Sequence, residues 1–194
     1  MDRNQTGFSL LELLITMTVG TLLAISVYSF VNVNTINYLH LQNDATGFAD
    51  LASQSQRIAS VTRGATGIVS ATGNDLVLYA YFFPSDTYVS LVHYYLSSDK
   101  STLYADVTPM TSNPPQGTPI TSSRRTYTVI TNFYQPSGGS LFTYLDASFA
   151  PLTVPISDLN AVKGIQVNLA ENTSGGGNQS LNLQLDLRNR KTNL

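Results

Sequence analysis

The chain has 194 residues, contains no cysteine and carries a formal net charge of −2. The absence of cysteine excludes a disulfide framework and a thiolate metal site, and the near-neutral charge gives no strong attraction to nucleic acid or to anionic membranes. Charged residues make up only 11% of the chain, well below the roughly 25% of ordinary soluble domains. Neutral polar residues fill the other polar positions, as suits an extracellular protein or one packed in an assembly.

An apolar segment begins close to the N-terminus and extends from Phe8 to Val31. It is long enough to cross a bilayer as a helix, for which about 20 apolar residues suffice. Its carboxylate, Glu12, is unexpected, because a charged side chain inside a membrane helix costs roughly 2.5–3.5 kcal/mol on insertion scales. An acid in this position predicts a functional site with a definable partner.

A cut between Gly7 and Phe8 would supply that partner. It would create a new α-amino group on Phe8, one helical turn from Glu12. In a staggered stack of helices, Glu12 of one subunit would instead meet the amine of the next subunit. Such a pair satisfies the buried charge only on assembly, because a complete buried pair is tolerated whereas a broken one is costly.

Gly7 before the cut, Phe8 after it, Glu12 and the long apolar helix closely resemble the N-terminal methylation motif of the type IV pilin family. This family includes pilins, minor pilins and the pseudopilins of type II secretion. The resemblance covers residues 1–31. It implies a leader of residues 1–7, cleavage by a prepilin peptidase between Gly7 and Phe8, N-methylation of Phe8, and a role for Glu12 in assembly.

The same resemblance implies a localisation and a set of partners. The protein would be a single-pass precursor in the inner (cytoplasmic) membrane with its N-terminus inside, an orientation that depends on Arg3 and the initial amine. It would then enter an extracellular or periplasmic filament. Its partners would be other pilin subunits, the prepilin peptidase, the membrane and the assembly platform. The implied function is that of a minor pilin or pseudopilin subunit of a type IV pilus, competence or type II secretion-like filament, and not that of an enzyme.

Three other interpretations of the apolar segment remain open. An ordinary secretory signal would be cut at a small-residue site such as Ala24-Ile25-Ser26, although the apolar run continues beyond it and Glu12 interrupts it. A plain membrane anchor for an extracellular binding or adhesion module fits the length but leaves Glu12 unexplained. A buried helix of a soluble enzyme fits poorly, because the run lies at the N-terminus and a polar region follows it.

The helical pattern continues beyond the apolar segment, over residues 32–62. Apolar residues recur there on one side of a helix, at Leu41, Ala45, Phe48 and Ala52, with Ile36, Leu51 and Ile58 nearby. This stripe predicts an amphipathic segment that packs on a sheet. No proline occurs before Pro84, so the two segments predict a single helix from about Phe8 to Val61, about 80 Å long at 1.5 Å per residue.

From Arg63 onward the hydrophobic pattern changes to the period of two that is typical of strands. Four strand pairs are predicted, namely residues 66–71 with 75–83, 87–97 with 102–107, 125–132 with 140–146, and 163–170 with 180–188. A proline-rich loop lies between the second and third pairs. Leucines alternate with polar residues in the last strand, which predicts an edge or near-edge position. A short helix or turn capped by Ser157 is predicted over residues 156–162.

One long helix on an antiparallel sheet gives an α+β fold, with residues 63–194 as a β-rich globular domain. This architecture again resembles the pilin fold. Residues 140–190, through the segments LFTYLD, VKGIQVNLA and LQLDLRNR, resemble the larger minor pilins and J-type pseudopilins in particular. In those proteins a similar strand series ends in a strand that bears arginine and asparagine.

The globular domain offers few candidates for catalysis or cofactor binding. His40 and His93 have no neighbouring set of metal ligands, so no metal site and no cofactor are predicted. Calcium is the one ion considered, because some pseudopilins bind it, although EF-hand spacing is absent. Its candidate ligands are two carboxylate pairs, Asp99 with Asp106 and Asp146 with Asp158.

Two basic clusters and a glycine run have plain interpretations. DNA binding is not predicted, because small basic clusters on a net acidic chain are usually solvated. The clusters are Arg124-Arg125 and, near the C-terminus, Arg188, Arg190 and Lys191. The run Gly175–Gly177 lies between two predicted strands and not before a helix, so it predicts a flexible turn and not a phosphate-binding loop.

Aromatic residues crowd residues 79–95. Alternation along the strand places Tyr79, Tyr81 and Phe83 on one face and Leu78, Ala80 and Phe82 on the other. Both faces therefore carry apolar bulk, and one of them must meet the helix. Packing within the chain or contact with a neighbouring subunit would cover the other face, since tyrosine is enriched at interfaces.

Overall fold

The computed structural model describes residues 9–135, 138–173 and 177–187. Its first element, α1, is one uninterrupted helix, Leu10–Arg63, which confirms the predicted long N-terminal helix. Phe8, where the predicted helix begins, lies outside the described residues. The chain divides into two compact units, Met1–Asn43 and Asp44–Leu194.

In the first unit, every described residue is exposed within the chain. Helix α1 includes a stretch that is long and apolar enough to cross a membrane, by length and composition. The hydroxyl groups of Thr18 and Thr21 donate hydrogen bonds to the carbonyls of Leu14 and Met17, at 2.7 Å each. Bonds of this kind suit a lipid environment, because they satisfy polar groups without water.

The part of the second unit that the structure describes contains two antiparallel sheets. A five-stranded sheet has the order β1-β2-β3-β4-β5 and a three-stranded sheet the order β6-β7-β8. The strands are β1 (Gly67–Ala71), β2 (Asp75–Ala80), β3 (Ser90–Leu96), β4 (Leu103–Pro109), β5 (Arg125–Ile130), β6 (Phe142–Leu145), β7 (Gly164–Asn172) and β8 (Asn178–Asp186). The chain therefore has the predicted α+β arrangement of one long N-terminal helix and antiparallel strands, although in two sheets where one was expected.

The pairings β1–β2, β3–β4 and β7–β8 confirm the corresponding predictions. The predicted pair of residues 125–132 with 140–146 is wrong, because β5 pairs with β4 and β6 pairs with β7. The backbone N–H groups of Phe133 and Tyr134 donate to the carbonyls of Ser101 and Ala170. These bonds direct the chain away from β5 and toward the second sheet, so no hairpin forms there.

Strand β2 is shorter than predicted and ends at Ala80. The N–H of Phe83 donates to the carboxylate of Asp86 at 3.0 Å, and a turn replaces further strand pairing. Alternation still identified the buried face, since Leu78, Ala80 and Phe82 are buried while Phe83 is partly exposed.

The buried face of α1 in the second unit differs from the predicted stripe. It passes through Leu51, Ser55, Ile58 and Thr62. Leu51 and Ile58 belong to one hydrophobic core together with residues of the strands. The predicted stripe through Leu41, Ala45, Phe48 and Ala52 is wrong, although its neighbours Leu51 and Ile58 belong to the core. Leu41 is 69% exposed and Phe48 is 49% exposed.

The error has a physical cause in Ser55 and Thr62. A count of apolar residues skips both positions, yet both are small enough to lie against the strands. The hydroxyl of Ser55 donates to the carbonyl of Ala52 at 2.7 Å, and this local bond allows a polar side chain to be buried on a helix. Apolar periodicity therefore favoured a neighbouring face of the same helix.

A pair of substitutions distinguishes the two faces. Ile58 is 1% exposed, so Ile58→Ala should destabilise the folded chain by about 2–5 kcal/mol, the usual cost of such a cavity. Phe48→Ala removes an exposed ring and should change stability by less than about 0.5 kcal/mol. Denaturant titration of the two variants measures both values. An equal loss of stability in Phe48→Ala would support the buried face that apolar periodicity predicts.

Strand β8 lies at the edge of the three-stranded sheet, as its alternating pattern predicts. Leu185 and Leu187 are fully buried. The N–H of Leu187 donates to the carbonyl of Lys163, the residue just before β7, at 3.0 Å. Hydrogen-bonded and non-hydrogen-bonded residue pairs alternate along two antiparallel strands. The odd-numbered residues of β8 therefore direct their backbone groups toward β7. The even-numbered residues Ser180, Asn182 and Gln184 direct theirs away from β7, to the side where β8 has no neighbouring strand among the described residues.

Candidate functional site

The start of α1 is built as a reciprocal cap between Ser9 and Glu12. The backbone N–H of Ser9 donates to Oε2 of Glu12 at 3.2 Å, and the backbone N–H of Glu12 donates to Oγ of Ser9 at 3.2 Å. This is the capping box, in which a serine at the N-cap and a glutamate three residues later satisfy two otherwise unpaired N–H groups. Glu12 therefore has a partner within its own chain.

The predictions made for Glu12 from the sequence do not include this cap. The spacing Ser-x-x-Glu before an apolar run is a recognised signal for a helix N-terminus, and residues 9–12 carry it. The cap also places the carboxylate at the positive end of the helix dipole. The other predicted site residues, Gly7 and Phe8, lie outside the described residues.

Asp99 and Asp106, the first pair of candidate calcium ligands, already have hydrogen-bond or ion-pair partners. Asp99 accepts hydrogen bonds from the hydroxyls of Ser97 and Ser101 in the turn between β3 and β4. The Ser97 bond, followed by those from Ser101, lowers the pKa of Asp99 to about 2. Asp106 lies on β4, 2% exposed, in an ion pair with Arg124.

The second candidate pair is likewise engaged in local turns. Asp146 accepts from the hydroxyl and N–H of Ser148 and from the N–H of Ala150, and the Ser148 hydroxyl is the main cause of its lowered pKa. Asp158 accepts from the N–H of Asn160 at 2.9 Å and caps a short 3-10 helix, so the predicted cap at Ser157 is wrong. Within the described ranges, no three His, Cys, Asp or Glu side chains come together where they could hold a metal.

The two histidines lie on different elements. His40 lies exposed on α1 in the first unit. His93 lies on β3, where its Nε2 is 2.6 Å from Oδ1 of Asp75. The centre of its ring lies 4.7 Å from the centre of the Tyr95 ring. His40 is thus exposed, and His93 is half-buried in an acid–imidazole pair with Asp75.

The predicted basic pair Arg124-Arg125 does not act as one cluster. Arg124 pairs with the buried carboxylate of Asp106. Arg125 begins β5 and takes part in no ion pair among the residues that the structure describes. The second basic cluster, Arg188 with Arg190 and Lys191, lies outside those residues, as does most of the run Gly175–Gly177.

The aromatic crowd is partly explained by packing within the chain. Phe82, Phe83 and Tyr127 form an aromatic cluster, in which the ring of Tyr127 lies 5.2 Å from that of Phe82 and 5.9 Å from that of Phe83. The guanidinium of Arg57, from α1, lies 4.6 Å from the centre of the Phe82 ring, a distance at which cation–π attraction operates. Tyr88 stays partly exposed beyond this cluster.

Comparison with known protein families identifies one segment. Residues 2–28 match the family model described as the prokaryotic N-terminal methylation motif. The matched residues include Gly7, Phe8 and Glu12, and the match supports the resemblance to the type IV pilin family, whose members are structural rather than catalytic. The match does not extend into the two sheets. No curated protein matches the chain.

Proposed function

We propose that this protein is a structural subunit of a type IV pilin-like filament, as a minor pilin or pseudopilin of a pilus, a competence system or a type II secretion-like machine. The observation that carries this proposal is the match of residues 2–28 to the N-terminal methylation motif. The resemblance of residues 140–190 to larger minor pilins and J-type pseudopilins supports the choice of a minor component.

The exposure of α1 in the first unit supports the same proposal. Its large apolar side chains, from Leu10 to Leu39, are each more than 40% exposed. A helix that is apolar on all sides must be covered by lipid or by other helices. In a filament subunit, lipid would surround this helix before assembly and neighbouring helices would surround it afterwards.

Residues 1–7 would be the leader and residues 8–31 the membrane and filament-core segment. A prepilin peptidase would cut between Gly7 and Phe8, and Phe8 would then be N-methylated. Glu12 would pair with the new amine of a neighbouring subunit during assembly. Residues 32–62 would continue the helix and residues 63–194 would form the globular domain.

The capping box favours a second candidate, a membrane-anchored extracellular binding or adhesion module. Ser9 and Glu12 satisfy each other's N–H groups, so Glu12 has a purely local use that any helix could exploit. An anchor, however, requires no cleavage after Gly7. Processing at this junction therefore separates the two candidates.

Gly7→Leu tests the processing step. A bulky side chain next to the cut should block the peptidase, so that the uncleaved precursor accumulates in the membrane and less than about a tenth of it is mature protein. Intact-protein mass spectrometry of the parent should give a chain that starts at Phe8 and carries one added methyl group.

Gly20→Leu provides the matched control. A side chain at Gly20 would meet nothing within 4 Å, so this variant should be processed like the parent. A mature chain that starts at Val27 would identify an ordinary signal peptide. An uncut parent chain would favour the anchor.

A further inference from the structure

A groove with a volume of about 470 Å³ lies at one end of the five-stranded sheet. The connection between β2 and β3, the end of β4 and the start of β5 form its sides. Its floor contains Ser90, Val107 and Met110, all buried. Pockets of about 300–1,000 Å³ are the usual size of small-molecule sites.

The walls of this groove are aromatic. Phe83 is 37% exposed and Tyr88 is 43% exposed, and Tyr127 is half-buried beside them. Phe83 and Tyr127 are fixed by the aromatic cluster, in which Phe83 meets Phe82 edge-on at 5.0 Å. Rings that are held in place yet partly open to solvent offer apolar contact area at little cost in conformational entropy.

Charged groups of both signs line the groove. Arg125 lines it and has no ion pair in the described part of the chain. A second cation, Arg57, lies behind the wall, 5.6 Å from the centre of the Phe83 ring. Asp86 is the acid that lines the groove, and its Oδ2 accepts the N–H of Phe83. The other oxygen of Asp86 therefore remains able to accept a hydrogen bond.

We infer that this groove binds a carboxylated saccharide, such as a uronic acid or sialic acid residue. Arg125 would hold the carboxylate, since a guanidinium and a carboxylate form paired, charge-assisted hydrogen bonds. The free oxygen of Asp86 and the hydroxyl of Ser123 would bond to sugar hydroxyl groups. The ring of Tyr88 would cover an apolar face of the sugar.

Nucleic acid fits this groove less well. A backbone phosphate needs several cations along a track, whereas this groove is lined by Asp86 as well as Arg125, and Asp86 would repel a second phosphate. A sugar hydroxyl, by contrast, gains a bond from the same carboxylate. The inference is independent of the filament proposal, because it depends only on residues of the second unit and would hold equally for an anchored module.

The test measures binding to the full chain in detergent micelles by isothermal titration calorimetry. One pair of probes is trigalacturonic acid and its methyl ester, which differ only in the carboxylates. A second pair is sialyllactose and lactose, which distinguishes sialic acid from uronic acid as the source of the charge. At least one acidic probe should bind at least tenfold more tightly than its neutral counterpart.

Arg125→Gln should remove that preference, and Tyr88→Ala should weaken binding of the preferred probe by at least tenfold. Arg63→Gln is the matched control, because Arg63 is another exposed arginine outside this groove, and it should leave both affinities unchanged. Thermal denaturation of each variant verifies that it is folded. Equal affinity for the acidic and neutral probes, failure of both acidic probes to bind, or tighter Arg125-dependent binding of an oligothymidylate would overturn the inference.

Discussion

Glu12→Gln is expected to enter the membrane and to be cleaved like the parent protein, but to be nearly absent from filaments. Membrane insertion should not suffer, because an expensive charge has been removed. Assembly should suffer, because the Phe8 amine of a neighbouring subunit would lose its counter-charge in a medium of low dielectric. An uncompensated buried charge costs roughly 3–5 kcal/mol, which corresponds to a loss of more than a hundredfold in incorporation.

The capping box makes this substitution more informative than a substitution by alanine. Glutamine can replace glutamate as the third helical residue of such a cap, so Glu12→Gln removes the charge and preserves the cap. Ser9→Ala does the reverse, since it removes the cap at a cost of about 0.5–2 kcal/mol and leaves the charge. The ratio of each variant in sheared filaments to that in membranes is the measurement. Normal incorporation of Glu12→Gln together with depletion of Ser9→Ala would assign Glu12 to the cap alone.

Removal of residues 1–62 is expected to abolish folding of the globular part, whereas removal of residues 1–43 should leave a soluble, folded protein. The shorter deletion keeps the whole second unit. The longer one removes Leu51, Ile58 and Val61 from the core. Each such side chain contributes about 1.5–3 kcal/mol, and a domain has only about 5–15 kcal/mol of net stability.

Cooperative thermal unfolding and monomeric behaviour in solution are the measurements for both truncated proteins. Residues 44–194 should show a single sharp transition, and residues 63–194 should show none. If residues 63–194 were monomeric and unfolded cooperatively, the helix would not belong to the core. Removal of residues 1–31 should also yield a folded protein, because every buried residue of α1 lies beyond that cut.

The long helix and the pairing β7–β8 were predictable because the signals are local. An apolar run without proline specifies a helix over many turns, and four leucines that alternate with polar residues specify one buried strand face. The buried face of the helix was not predictable from apolar residues alone. Its burial of Ser55 and Thr62 depends on how closely the strands approach, which is a tertiary property.

Glu12 and the groove also differ in whether they could be predicted from the sequence. Glu12 within an apolar segment is visible in sequence because its cost arises from its immediate neighbours. The groove is not visible, because Tyr88, Met110 and Arg125 are brought together by strand register across β3, β4 and β5. Strand register also explains why the neighbouring residues Arg124 and Arg125 have different surroundings. One of them neutralises a buried aspartate and the other is left to face the groove.

The edge position of strand β8 in the described sheet has a consequence for amide hydrogen exchange. In solution, deuterium from the solvent should replace the amide protons of Ser180, Asn182 and Gln184 quickly, since these point away from β7. The amide protons of Leu181, Leu183 and Leu185 should exchange slowly, since β7 holds them. One strand would therefore carry fast and slow amides in strict alternation. If the fast set became slow on assembly, it would mark this edge as a place where the filament adds a neighbour.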